Sequence, residues 1–174
     1  MKRVGPSGQR QVRLRHKTVE SERVLPGSGL SGSPGGIEVF PRPEKIRIPI
    51  GSDRDIVKAR QEGRRVAGEL GFSSTDLVLV ATAISELARN IVSYAKTGEI
   101  DIRPIVNSAH RGIEIIARDE GPGIRDVDRA LQVGFSTSAG LGMGLPGVRR
   151  LMDEFKIQSN FGHGTVVITR KWKN

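Results

Sequence analysis

One segment limits what this chain can become more than any other. From Ser73 or Ser74 to about Ala95, apolar residues recur at helical spacing: Leu77, Val80, Ala81, Ile84, Leu87, Ala88, Ile91 and Ala95. Two strand-like runs, residues 99–106 and 112–118, follow at once, joined by a hairpin loop over 107–111. A helix with one apolar side and strands with one apolar face bury both by packing on each other. The flanks extend the pattern. Residues 45–49 alternate as a first strand, with Pro49 marking an edge or an end. Ser52 or Asp53 begins a helix reaching about Leu70, with Gly71 closing it. A short helix is predicted over 126–132 and a longer one over 145–155. Strands over 156–161 and 165–172 follow, joined through Gly162, His163 and Gly164. Hairpin-linked strands without regular strand–helix–strand repeats predict an α/β, two-layer sandwich with a mixed, mostly antiparallel sheet and helices on one face. No internal repeat is present.

Composition narrows the class. At 174 residues the chain amounts to about one domain. Its aromatic share is 4%, so the core must be aliphatic. With no cysteine, disulfides and thiolate metal sites are excluded, which fits a reducing compartment. His16, His110 and His163 show no metal-ligand spacing. No apolar run approaches the roughly 20 residues of a bilayer span, and no apolar stretch follows the basic N-terminus as in a secretory signal. Cytoplasm, without membrane contact, is the expectation.

The net charge of +9 suggests nucleic acid at first sight. Much of it is local: residues 1–36 hold seven Lys/Arg against two Asp/Glu. Aromatic residues do not interleave with the basic ones as a stacking platform requires, so nucleic acid is not the expected partner. Residues 1–36 also carry seven glycines and little apolar material, which predicts a disordered basic extension ahead of a domain over 37–174. Either this is a real tail or translation starts downstream, at Val24 or Val39.

Four constellations could carry chemistry. Glu86 and Asn90 lie one helical turn apart on the polar side of the long helix, with Thr82, Arg89 and Ser93. An acid and an amide so placed could hold a divalent cation and a hydroxyl beside it, although a solvated helix face is the simpler reading of the pair taken alone. Asp119-Glu120-Gly121-Pro122-Gly123 follows an apolar strand. A carboxylate there can accept from an exocyclic amine while glycines let backbone approach a flat ring; a plain turn is the alternative. Gly140-Leu141-Gly142-Met143-Gly144-Leu145 opens a helix, where free N–H groups and a positive dipole end suit phosphate; a surface loop is the alternative. Gly164-Thr165 opens the last strand and could set a hydroxyl near the ring that Asp119 meets.

In this order the four motifs resemble the GHKL ATPase superfamily and its Bergerat ATP-binding fold: an N box at Glu86 and Asn90, a G1 box at 119–123 and a G2 box at 140–145. Residues 83–91, 134–138 and 144–155 resemble more narrowly the RsbT-type serine/threonine switch kinases of partner-switching pathways; the RsbW and SpoIIAB anti-sigma factors share the boxes. The resemblance implies ATP and Mg²⁺ as cofactors. Asp119 would meet the adenine amine, beside Gly121, Gly123 and Thr165. Gly140, Gly142, Gly144 and Leu145 would line the phosphate side, and Asn90 would bind Mg²⁺. Glu86 would act as general base, with a water-mediated link to the metal, and residues 123–139 would form a mobile lid. The implied substrate is a serine or threonine of a STAS-domain antagonist of the RsbS type; a released kinase would engage an RsbU-like PP2C phosphatase or another output regulator. The rivals are an anti-sigma factor that binds a sigma factor directly, a histidine-kinase fragment and a non-catalytic ATP-binding adaptor.

Overall fold

A computed structural model describes residues 45–107, 109–132 and 143–173. The extension over 1–36, both alternative start sites, the lid motif 134–138 and glycines Gly140 and Gly142 lie outside the described residues. Five strands form one sheet: β1 (Ile46–Ile50), β2 (Gly98–Val106), β3 (Arg111–Asp119), β4 (Glu154–Ser159) and β5 (Thr165–Trp172), in the order β1-β2-β3-β5-β4. Every pairing is antiparallel, so the sheet is purely antiparallel rather than mixed.

Strand alternation divides the sheet into two unlike faces. One face carries the row Ile48, Ile100, Ala117, Val167 and Ile157, and beside it Ile46, Ile102, Ile115, Thr169 and Phe155. Against it pack α1 (Asp53–Glu69) and α2 (Ser74–Asn90), which bury Ile56, Val66, Val80, Ile84 and Leu87. The other face is a lattice of charge. Asp101, 1% exposed, is met by Lys45, Arg47 and Arg118; Glu114, 2% exposed, is met by Arg103 and Arg170. Burial pushes the Asp101 carboxyl up, but the hydrogen bonds from Lys45, Arg118 and Arg47 outweigh it and hold the group below its ordinary value.

The helix ends explain their own limits. Ser73 caps α2, its hydroxyl accepting from the Asp76 N–H at 3.1 Å. Ser52 occupies the same position before α1 without a side-chain cap bond. Its hydroxyl instead donates to Asp55, which also accepts from the Gly51 N–H. Beyond Asn90 the long helix widens into a π-helical turn, Ile91–Ala95, and Lys96 leaves it at φ +71°. The run Ser74–Ala95, 22 residues containing an 18-residue stretch of mean hydropathy 1.3, does reach the length and apolarity of a bilayer-crossing helix. Its apolar stripe is spent on the protein's core.

Past α3 (Val127–Ala130) comes α4 (Gly144–Leu151), shorter than the predicted 145–155. Register against β5 overrides helical periodicity here. The Asp153 N–H donates to Arg170 O, the Asp153 carboxylate accepts from the Trp172 N–H at 2.7 Å, and Phe155 lies opposite Thr169 in β4.

Candidate functional site

The helix-side rows of the sheet end in a polar one. Gly98, Asp119, Thr165 and Ser159 are successive partners across β2, β3, β5 and β4. Glycine at 98 is required there, because a Cβ would run into Arg118 O and Ile91. Above this row, α2, its π-helical turn and the start of α4 complete a cleft of ≈ 160 Å³. That is smaller than the about 300–1,000 Å³ of whole-ligand sites, so the described part suits a flat ring rather than a whole nucleotide.

The wall brings together Asn90, Asp119, Gly123, Gly144, Leu145 and Thr165 from four separate stretches of sequence. Asp119 accepts from the Gly121 N–H through Oδ1 at 2.9 Å. Unlike Asp101, it has no cation partner among the described residues. Gly121 is not part of the cleft wall, and a Cβ there would strike Ala95. Gly123 (φ +66°) and Gly164 (φ +83°) hold left-handed conformations at points of close approach. A Cβ on the first would meet Asn160 O, and on the second Asp119 O. The loop after β3 is thereby pressed onto the β4–β5 turn, pinned by Gly162 N–H to Pro122 O at 2.8 Å.

Glu86 does not line this cleft. It is 9% exposed, and its Oε2 accepts from the Gly144 N–H at 2.9 Å. The carboxylate thus sits at the N-terminus of α4, where the helix dipole favours negative charge. The Gly144 N–H, expected to face phosphate, is bonded to Glu86 in this arrangement. No hydrogen bond among the described residues occupies the Asn90 side-chain amide.

Among the described residues no group of three or more His, Asp or Glu side chains could cage a metal. The donor set fits a different arrangement: Mg²⁺ travelling with phosphates, keeping waters, with the Asn90 amide oxygen as a protein ligand.

Sequence patterns missed the apolar walls. Leu87 and Ile91 read as core stripe, and Ala117, Ala130 and Val167 carried no signal, yet all line the cleft. Tyr94, 49% exposed, also lines it, one turn beyond Asn90; that spacing was the available clue. Ser159 was overlooked as well, although it stands six residues before Thr165 across a glycine-rich turn.

Comparison with known proteins agrees with this fold. The family described as histidine kinase-like ATPase domain matches residues 52–171. The serine/threonine-protein kinase RsbT of Bacillus subtilis (strain 168) is 53% identical over 125 residues, covering 72% of this chain and 94% of that protein. An anti-sigma F factor of Caldanaerobacter subterraneus subsp. tengcongensis is 35% identical over 112 residues, covering 61% of this chain and 77% of that one. Among solved structures, the RsbU and RsbW domains of Rv1364c from Mycobacterium tuberculosis share the fold at TM-score 0.53 and 17% identity, with 77% of this chain and 33% of that one covered.

Proposed function

The chain belongs to the histidine kinase-like ATPase domain family and, within it, to the family of the serine/threonine-protein kinase RsbT; from this premise we propose that it is an ATP-dependent protein serine/threonine kinase of a cytoplasmic partner-switching pathway. The observation that carries the reading is Asp119. It is a carboxylate without a cation partner among the described residues, in the lining of a largely apolar cleft that Asn90 and the first residues of α4 also line.

In this reading the adenine ring lies between Leu87, Ile91, Ala117 and Val167, and its amino group donates to Asp119. The Asn90 amide oxygen would hold Mg²⁺, which when bound would supply positive charge against that of the phosphates. The α4 N-terminus receives the phosphates. Their arrival competes with Glu86 for the Gly144 N–H, releasing the carboxylate to take the proton of an incoming serine or threonine hydroxyl. The hydroxyl oxygen then bonds to the γ-phosphorus as the bond to the β-phosphate oxygen breaks, and ADP leaves.

The substrate proposed is a STAS-domain antagonist of the RsbS type, and the later partner an RsbU-like PP2C phosphatase. Support comes from the 53% identity to RsbT. Transfer of labelled γ-phosphate from ATP to a purified RsbS-type protein tests the assignment. Transfer that stops in Glu86→Gln supports it, and a folded, ATP-binding protein that transfers nothing refutes it. The 35% identity to an anti-sigma F factor favours a second reading, direct binding of a sigma factor. A stable complex with a purified sigma factor, formed only with ATP, would favour that role instead.

A further inference from the structure

Ser159 does not line the cleft, yet it ends the polar row that does: Thr165 pairs with Asp119 on one side and with Ser159 on the other. Its hydroxyl has three neighbours. The Ile124 N–H donates to it at 2.8 Å, Gly164 O lies at 3.0 Å, and Thr165 Oγ1 lies at 2.9 Å.

A serine hydroxyl offers one proton and two lone pairs. Ile124 takes one lone pair. Gly164 O is a carbonyl and only accepts, so the serine proton goes there. The bond to Thr165 must then run the other way, with the threonine proton filling the second lone pair. With its proton spent on Ser159, Thr165 keeps only lone pairs for the cleft.

The geometry points to Ser159 as a positioning residue that fixes the Thr165 hydroxyl as an acceptor and thereby selects a 6-amino purine over a 6-oxo purine. The inference rests on the reading that a purine base sits against Asp119 and Thr165. A carboxylate and an acceptor-oriented hydroxyl on paired positions welcome the two protons of an amino group. The oxygen of a 6-oxo ring would face lone pairs on both sides, and a site left with mismatched polar groups discriminates strongly. Without Ser159 the Thr165 hydroxyl can turn and donate, which makes a 6-oxo ring tolerable.

Calorimetric titration of the full chain with ATP and with inosine triphosphate tests this. The wild type is expected to prefer ATP by about 100-fold. Ser159→Ala should narrow the preference about tenfold, mainly through tighter inosine triphosphate binding, and Ser159→Thr should restore it. Thr165→Val has no proton to redirect, so Ser159→Ala/Thr165→Val should match Thr165→Val alone. Where the alanine variant fails to fold, Ser159→Cys, with its weak donor and acceptor, carries the same comparison. Equal weakening of both nucleotides, or additive effects in the double variant, would overturn the assignment. A wild type that binds neither nucleotide would overturn the reading of the cleft, and this inference with it.

Discussion

Asp101 and Asp119 are both acids of the central strands, and they differ in what surrounds them. On the open face of the sheet, Asp101 is met by three cations and Glu114 by two. On the helix side, Asp119 has one backbone N–H and an apolar cleft in front of it. A carboxylate whose lone pairs are all spent within the protein is structural, since removing one partner mainly costs stability. A carboxylate with lone pairs left facing a cavity is available to a ligand. Burial alone does not separate the two; the partners do.

Substitutions can break this contrast, beginning with the largest expected effect. Glu86→Gln keeps the shape and an oxygen for the Gly144 N–H but removes the base. Phosphoryl transfer should fall about 1,000-fold while ATP affinity changes by less than about threefold, as single-turnover assays and calorimetry would show. If transfer survives, Glu86 is only the cap of α4.

Gly123→Ala should come next. It forces a side chain into a left-handed conformation and a methyl into Asn160 O, so thermal or urea unfolding should report a loss of about 3 kcal/mol, with the cleft lost too. An unperturbed variant would mean that the β3 loop and the β4–β5 turn are not tightly joined.

Asp101→Asn should cost about 2 kcal/mol in urea unfolding, less than a fully buried pair because its cations are about half exposed, and should leave ATP affinity alone. The smallest effect is in the pH profile. Because the folded Asp101 carboxyl lies below its ordinary value, its contribution is complete above the unfolded value of about 3.9 and is lost as pH falls through the folded one. Stability of the wild type should therefore drop more steeply below about pH 4 than that of Asp101→Asn. Parallel curves would show that the lattice does not hold Asp101 ionised.

The two regions also differ in how far the sequence revealed them. As a cleft residue Asp119 was legible because it ends an apolar strand just before Gly-Pro-Gly, and Asn90 because it lies on the polar side of its helix; Glu86, singled out with Asn90, lies outside the cleft. Both signals are local. The charge lattice was not legible, since Asp101 meets Arg118, and Glu114 meets Arg170, only through strand register. Ser159 was hidden for the same reason, needing the β4–β5 pairing to reach Thr165. The end of α4 was misplaced because Phe155 continues an apolar helical stripe, while pairing with Thr169 draws it into β4. Periodicity describes one element at a time, and these features belong to pairs of elements.

The central claim, that the cleft holds ATP through Asp119, is tested most directly by titrating ATP and Mg²⁺ into wild type, Asp119→Asn and Asp101→Asn in parallel. The account predicts about 100-fold weaker binding for Asp119→Asn and wild-type affinity for Asp101→Asn, both folded by circular dichroism. Equal affinity in all three proteins would contradict it.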